Sequence, residues 1–464
     1  MSFLDERRAL TREKRLSSLS HFHGNLEALI DETSGEEIKQ RIRTFSQIHD
    51  DETIYAFDVL STIEDAAIIV NGSIGCGAIG IAQNNNENFS WYSTNLVERD
   101  TILGGDDKLS EAILRAYEEK HPKAIFIVGT PVVAINNDDI NSVILELEDE
   151  IGIPIISIYT DGFKTKTPVT GYDIVTHSLL KYLVSNNEDV KEDFINIISY
   201  SEDIEDVAVI ADIFKELNIK FQILPRFSNV DEIKRVSKAR ASVVLNPEEG
   251  EYLAKELEEV FGVPYIETDV PVGFRGTKNF LLKLAAFLNI EDEVIEYIDK
   301  AEAELSQVVI KDVLKDKKIF VDGALSKVSA YARLFTNLGG EVVGFSSSFV
   351  DLDNRKQLKK LDFLPKTTIA IIGNGQQFEK ANELAKNSID IYFSEKSGSS
   401  FATDEGAVVI STKNKVTYGF KGVEVIVNTI KKVEEFQGKY RLKSSYKESF
   451  KKRSGNWYVK QEVS

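Results

Sequence analysis

The stretch AAIIVNGSIGCGAIG, residues 66–80, decides the fold of this chain. It begins with a short apolar run that contains β-branched residues, which is typical of a buried strand. Four glycines follow, so the backbone can turn tightly there and another group can approach it closely. Cys76, the single cysteine of the sequence, lies in this turn. One cysteine excludes an internal disulfide and any metal site built from several thiolates of this sequence.

Outward from this stretch, β-branched runs alternate with amphipathic helical stretches. Examples of such runs are AIFIVG at 124–129, FQILP at 221–225 and EVVGFS at 341–346. This alternation predicts parallel sheets with crossover helices. A length of 464 residues, taken with about 150 residues per domain, suggests three domains. The predicted fold class is therefore α/β, with three Rossmann-like domains of doubly wound, mainly parallel sheet.

Changes in sequence pattern divide the chain into five segments. Both ends have a helical pattern rich in charge, and the C-terminal tail carries an excess of Lys and Arg. We predict an N-terminal helical arm at 1–45, a first α/β domain with the glycine-turn cysteine at 46–190, a second α/β domain at 191–315, a third at 316–412, and a C-terminal helical segment and tail at 413–464.

The charge balance bears on partners and location. The formal net charge is −19, so a broad surface for nucleic acid or for an anionic membrane is not expected. The N-terminal stretch lacks the apolar core of a signal peptide, and no apolar run reaches the ~18 residues of a membrane span. We therefore expect a cytoplasmic protein.

The glycine turn admits a nucleotide interpretation. Gly75, Gly77 and Gly80 have the spacing of the dinucleotide fingerprint, in which helix N-terminal amides hold a pyrophosphate. Four residues, however, separate the strand from the first of these glycines. The polar stretch AQNNNENFS at 82–90 also replaces the second strand that should end in an acid. A nucleotide-dependent enzyme is therefore the least supported of three hypotheses for the function of this chain, of which the other two are given below.

A family resemblance fits these residues better. NGSIGCG at 71–77 is followed by NLVERDTILGGDDKL at 95–109, AIFIVGTP at 124–131 and GIPIISI at 152–158. In order and spacing these segments resemble the first domain of nitrogenase component 1 subunits, the molybdenum–iron protein family. The resemblance continues through ASVVLNPEEGEYLAKELEEVFGVPYIE at 241–267, LGGEVVGF at 338–345 and TYGFKGV at 417–423.

The resemblance implies a fold, an activity and partners. Members of this family have three Rossmann-like domains per subunit and work as paired subunits. A P-loop iron–sulfur reductase that hydrolyses ATP docks on the pair and passes electrons to a cluster at the subunit interface. Cys76 occupies the place of a cluster-ligating cysteine, in a turn where Gly72, Gly75 and Gly77 leave room for the cofactor. A thiolate is the standard ligand of an iron–sulfur cluster.

Two other cluster positions lack their cysteine. The earlier one falls near Asp50, and the later one falls at Thr130 or Pro131. A carboxylate can replace a thiolate on iron with a poorer match in softness, so Asp50 is a second candidate metal ligand. The expected cofactor is then a cluster, of [4Fe–4S] type, that is shared across a subunit interface.

The positions that bind the second cofactor are also changed. In the family a cysteine holds the molybdenum–iron cofactor at the place of Asn246, and a histidine holds it near Thr417 and Tyr418. No histidine follows His177 in the sequence. We therefore expect no molybdenum–iron cofactor on this chain.

Together these observations predict a subunit of a nitrogenase-like oxidoreductase. Its partners would be a sister component-1 subunit that supplies further cysteines and the P-loop reductase, in a homodimer or a heterotetramer. The alternative is a non-redox scaffold or cofactor-assembly partner that keeps the fold. The substrate and the catalytic residues are not identified by the sequence.

Overall fold

The computed structural model describes residues 17–39, 51–77, 90–160, 167, 169–185, 191–306, 312–395 and 399–432. These residues fall into two compact units. The first unit comprises the described parts of 50–202 and 218–267, and the second those of 17–49, 203–217 and 268–464. Asp50 lies outside the described residues, as do residues 1–16 and 40–45 of the predicted N-terminal arm and residues 433–464 of the tail.

The strands of the described residues, in chain order, are β1 (Ser18–Leu19), β2 (Phe22–Asn25), β3 (Ala66–Asn71), β4 (Ser90–Ser93), β5 (Ala124–Gly129), β6 (Ile155–Tyr159), β7 (Ile195–Ser199), β8 (Phe221–Pro225), β9 (Ala241–Val244), β10 (Lys318–Asp322), β11 (Glu341–Ser347), β12 (Val350–Asp351), β13 (Ile369–Ile372), β14 (Ile391–Ser394) and β15 (Val408–Ser411).

The helices are α1 (Leu26–Thr33), α2 (Glu52–Leu60), α3 (Glu98–Leu103), α4 (Asp106–Lys120), α5 (Pro131–Asn136), α6 (Ile140–Ile151), α7 (Thr170–Tyr182), α8 (Ile204–Glu216), α9 (Val230–Lys234), α10 (Pro247–Phe261), α11 (Gly273–Leu288), α12 (Glu291–Ser306), α13 (Leu325–Asn337), α14 (Gln377–Asn387) and α15 (Ser400–Asp404). Two 3₁₀ helices cover Val236–Lys238 and Asn354–Leu361. Residues 419–432 are also helical.

The first unit contains two parallel sheets. In the first sheet the strand order is β4-β3-β5-β6, and in the second it is β8-β7-β9. The strands β3 and β5 are buried along their whole length, as the apolar runs predict. Ile69 and Ile127 pack with Ile113 of α4 and Val143 of α6 in one apolar cluster. The helices therefore cover the first sheet as crossover connections do.

The second unit contains a six-stranded sheet with the order β15-β14-β10-β11-β13-β2. Its strands run parallel, except that β2 pairs antiparallel with β13 at one edge. Phe320, Ile371 and Tyr392 lie in its buried core. A second antiparallel pair joins β1 to β12.

The predicted fold class is confirmed: the described chain is α/β, and its sheets are mainly parallel. The N-terminal arm contains the short helix α1, but helical periodicity did not indicate the strands β1 and β2 that precede it. The predicted five-segment division stays a prediction. Within the described part of the chain, none of the helices has the length and apolar character that crossing a membrane requires.

Candidate functional site

Cys76 lies just beyond the carboxyl end of β3, where the chain leaves the first sheet. Residues 74–77 are helical, and the Cys76 amide donates a hydrogen bond to the Ser73 carbonyl at 3.1 Å. The thiol is free and partly exposed, with its Sγ 3.5 Å from the Ser73 Oγ. The apolar strand followed by glycines thus presents this thiol at the sheet edge where parallel α/β folds bind ligands.

Two of the three predicted cofactor glycines are explained by packing. A Cβ at Gly72 would lie 1.9 Å from the Thr130 Oγ1, and a Cβ at Gly77 would lie 2.8 Å from a methyl carbon of Val70. Among the described residues, a Cβ at Gly75 would meet nothing closer than the Ser73 Oγ at 3.9 Å. Gly72 and Gly77 therefore bring the turn close to the sheet, whereas no described residue fills the space beside Gly75.

Hydrogen bonds from the neighbouring strand hold the turn in place. The Gly72 amide donates to the Thr94 Oγ1 at 2.9 Å, and the Leu96 amide donates to the Gly72 carbonyl at 2.9 Å. The Thr94 hydroxyl also lies 3.1 Å from the Asn71 Oδ1. Because these groups are buried, the start of the turn has a defined geometry.

Thr130 stands at the end of the adjacent strand, where the family's later cysteine was expected. The ladder pairs Asn71 with Gly129, and the Thr130 amide donates to the Asn71 carbonyl at 3.0 Å. The side chain is fully buried, yet its Oγ1 finds no hydrogen-bond partner among the described residues. A buried hydroxyl without a partner costs about 1–3 kcal/mol. The structure therefore places an unsatisfied polar group against the Gly72 end of the turn.

The third predicted position, Asp50, is not placed, but the residues after it are. Asp51 caps α2, since its side chain accepts from the amides of Thr53 and Ile54 at 2.9 and 3.1 Å. The Thr53 hydroxyl lies 2.9 Å from the Thr160 hydroxyl, which donates to the Gly129 carbonyl at 2.6 Å. The segment after Asp50 thus begins at the same edge of the first sheet, and Asp51 serves as a helix cap.

Five exposed apolar side chains surround this edge, and sequence reasoning did not single them out. Each is at least half exposed, and Ile102 reaches 81%. The α3 helix follows Leu96, and the Asn136 side chain of α5 donates to the Thr101 carbonyl at 3.3 Å. Clustered exposed apolar residues mark a surface that another molecule covers. We name this set the apolar rim: Ile74, Val97, Ile102, Leu103 and Ile135.

Asn246, at the place of the family's cofactor cysteine, has a local structural role. It caps α10, and its Oδ1 accepts from the Glu248 amide at 3.2 Å. Asparagine is among the preferred residues at this position because its side-chain oxygen satisfies a free amide of the first turn. The geometry therefore gives Asn246 a helix-capping function.

Thr417 and Tyr418, near the place of the family's cofactor histidine, bind the carboxylate of Asp206. The Thr417 hydroxyl donates at 2.8 Å, and the amides of Thr417 and Tyr418 donate at 2.5 and 2.9 Å. Burial raises the pKa of Asp206 to about 6, although these hydrogen bonds oppose the increase. These two residues thus support a buried carboxylate within the second unit.

The described residues contribute one thiol, that of Cys76, at the edge of the first sheet. Among them, no three His, Cys, Asp or Glu side chains are grouped closely enough to hold a metal ion. A thiol at a partly exposed turn, next to open space, can occupy one corner of a ligand set that another chain completes. Cys76 is therefore the candidate metal ligand that the described residues offer at this edge of the sheet.

Comparison with known proteins identifies a family and a fold for this chain. The family model of the nitrogenase component 1 type oxidoreductases matches residues 54–433. The nitrogenase iron-molybdenum cofactor biosynthesis protein NifE of Clostridium pasteurianum is 35% identical over 301 residues, which cover 61% of this chain and 65% of that protein. The nitrogenase molybdenum-iron protein alpha chain of Methanosarcina barkeri is 27% identical over 318 residues, which cover 64% of this chain and 59% of that protein.

The alignments thus span less than two thirds of these relatives' own length. Among solved structures, nitrogenase Cp1 at pH 5 superposes with a TM-score of 0.76 and 20% identity, covering 94% of this chain and 98% of that chain. Nitrogenase Cp1 at pH 6.5 gives a TM-score of 0.74 at 17% identity, covering 87% and 96%. These likenesses show the fold, and the family model accounts for most of the sequence. The chain belongs to the nitrogenase component 1 type oxidoreductase family.

Proposed function

We propose that this chain is a subunit of a nitrogenase-like oxidoreductase in which Cys76 provides one thiolate to an iron–sulfur cluster shared across a subunit interface. The observation that carries the proposal is the position of the thiol. Cys76 is partly exposed, no described residue fills the space beside Gly75, and the turn approaches the buried hydroxyl of Thr130, which has no partner in the described part of the chain. The apolar rim surrounds the same edge of the sheet.

The Cys76 thiol would fill one of the ligand positions of an iron–sulfur cluster. A [4Fe–4S] cluster is normally held by four thiolates, and Cys76 is the one cysteine in this sequence. The other ligands would come from a sister subunit or a second copy of the chain, and Asp50 remains a candidate oxygen ligand. The Thr130 hydroxyl would donate a hydrogen bond toward the bound group. When bound, the cluster supplies one-electron transfer.

The apolar rim at the same edge of the sheet also suggests how the partners would bind. The apolar rim would be buried against the sister subunit, which removes its side chains from water. A P-loop iron–sulfur reductase would deliver electrons to the cluster, and these would pass to a substrate that is not identified. The work of this chain would be to hold the thiolate and to exclude water around it.

A second function is favoured by two specific observations. A relative with 35% identity is a cofactor biosynthesis protein. In addition, Asn246 caps a helix at the position of the family's cofactor cysteine. These two facts support a cofactor-assembly scaffold that keeps the component-1 fold without electron transfer.

The test is anaerobic purification of the tagged chain from its own host, together with the subunits that accompany it. Iron and acid-labile sulfide are measured per complex, and the reduced sample is examined by electron paramagnetic resonance. For Cys76→Ser we expect at least a severalfold loss of iron and of the signal. Ser110→Ala, a partly exposed helix position in the same unit, serves as the control and should match the wild type.

The outcomes separate the two functions. Equal iron in the wild type and in Cys76→Ser would contradict the ligand role. A wild-type complex that assembles without iron would favour the scaffold. An iron-loaded complex whose signal changes when the reductase and ATP are added supports the oxidoreductase.

A further inference from the structure

A cavity in the second unit is lined by an excess of positive charge. It lies at the N-terminal end of α11, beside α13 and the 3₁₀ helix Asn354–Leu361, and its volume is about 340 Å³. This volume falls within the range of small-molecule sites, about 300–1,000 Å³. Its charged lining residues are four cations and two carboxylates: Arg275, Arg333, Lys359, Lys360, Asp269 and Asp362.

Most of these cations are not neutralised within the cavity. Lys360 forms an ion pair with Asp269. Among the described residues, neither Arg275 nor Lys359 forms an ion pair with a carboxylate. Arg333 donates to the Lys360 carbonyl at 3.3 Å and lies 4.0 Å from the centre of the Phe363 ring. The guanidinium group of Arg333 therefore has further N–H donors that can bind an anion.

Two arginines face the same space. Arg275 lies in the first turn of α11 and Arg333 in α13, so segments far apart in the sequence bring them together. Burial lowers the pKa of Arg333, and the charge of Arg275 lowers it further. Asp362 and Asp269 act in the opposite direction. Like charges held together at a cavity repel each other unless an anion lies between them.

The backbone adds to the positive electrostatic potential of the cavity. The helix α11 has 16 residues, and its capping residue, Val272, has no side-chain acceptor for the first-turn amides. The positive end of the helix dipole therefore lies at the cavity. A Cβ at Gly276 would lie 2.3 Å from the Val270 carbonyl oxygen, so the close approach of these two segments requires glycine. The N-terminal end of α11 thus adds positive potential to the site, and the arginine and lysine side chains are its main binding groups.

We propose that this cavity binds a small polyvalent oxyanion, held by Arg275, Arg333 and Lys359. Phosphate and polycarboxylate groups share this chemistry, because both offer several anionic oxygens to guanidinium forks. The site is independent of Cys76, and it would let a small anion stabilise the second unit through binding to the native state.

The test uses the full chain, as purified with its accompanying subunits, in a buffer of low ionic strength. Inorganic phosphate and citrate are titrated by calorimetry and by thermal shift, and acetate serves as a monovalent control. We expect saturable binding of phosphate, citrate or both, with a rise in melting temperature and no saturation by acetate. The anion that binds more tightly identifies the source of the oxyanion.

The variants are Arg275→Gln and Lys359→Gln, neither of which removes an ion pair of the described structure. Each should weaken binding at least tenfold, and without an anion Arg275→Gln should melt no lower than the wild type because it relieves repulsion. Lys366→Gln, whose lysine pairs with Glu27 at the surface, should bind as the wild type does, and so should Cys76→Ser. Absence of saturable binding, or unchanged binding in both cavity variants, would overturn the proposal.

Discussion

The carboxyl ends of two parallel strands in this protein, β10 and β3, differ in their chemistry. At the end of β10, in the second unit, Asp322 accepts hydrogen bonds from the hydroxyls of Ser346 and Tyr392 at 2.5 Å and from the Lys380 ammonium at 2.9 Å. Beyond the end of β3, in the first unit, the Cys76 thiol forms no disulfide, and at the adjacent end of β5 the Thr130 hydroxyl has no partner among the described residues.

The difference separates a structural cluster from a candidate site. Burial raises the pKa of Asp322, but the charge of Lys380 and the three hydrogen bonds outweigh it and leave the pKa below its usual value. The Asp322 carboxylate is thus satisfied by its own fold. The adjacent ends of β3 and β5 instead present a partly exposed thiol and one buried hydroxyl that has no partner among the described residues, as a site completed by another molecule would.

The largest effect is expected from Asp322→Asn. The variant leaves the Lys380 ammonium, whose side chain is 11% exposed, without its counter-charge. Loss of one partner of a buried pair destabilises by about 3–5 kcal/mol. Urea unfolding should therefore show a large fall in the free energy of unfolding, whereas Cys76→Ser should change it little. Similar losses in the two variants would contradict the distinction between the two strand ends.

The same pair predicts a dependence on pH. Because the pKa of Asp322 is lower in the folded chain than in the unfolded chain, its contribution to stability is present above the unfolded pKa and is lost as the pH falls through the folded one. The stability gap between the wild type and Asp322→Asn should narrow as the pH is lowered below about 4. Unfolding curves of both proteins at pH 7, 5 and 3 measure this difference in the free energy of unfolding. A difference that stays constant with pH would contradict an ionised pair between Asp322 and Lys380.

A smaller effect is expected for alanine at the glycine turn. Gly72→Ala places a methyl group on the Thr130 hydroxyl and should destabilise the chain by about 1–3 kcal/mol. Gly75→Ala enters open space in a helical segment and should stabilise it by up to about 1 kcal/mol. Thermal unfolding of the two variants compares them directly. If both alanines are equally harmful, the open space beside Cys76 is not present.

The smallest effect concerns the Thr130 hydroxyl. Thr130→Val removes an unpaired buried hydroxyl and keeps the shape of the side chain, and the N-cap of α5 loses no side-chain hydrogen bond. The iron-free chain should gain about 1 kcal/mol, because desolvation of the hydroxyl is relieved. Iron content and the cluster signal of the assembled complex should decrease at the same time. Unchanged iron content in the Thr130→Val complex would show that Thr130 takes no part in the site.

The sequence alone was enough for the strands of the central sheets. AAIIV, AIFIVG and FQILP were expected as strands, and the structure has Ala66–Asn71, Ala124–Gly129 and Phe221–Pro225. Buried parallel strands are continuous apolar runs, which a local pattern reveals. The edge strands β2 and β4 were missed, because FHGN and SWYS carry few apolar residues and depend on pairing with a neighbour.

The turn that presents Cys76 was predicted from the sequence, since four glycines after an apolar strand allow the backbone to turn tightly there. The sequence also placed the chain in its family through the order of its motifs. Only the tertiary structure decided which polar groups remain unpaired, because hydrogen-bond partners come from distant segments. The pairing of Asp322 with Lys380, the unpaired Thr130 and the charged cavity around Arg275 and Arg333 are all of this kind.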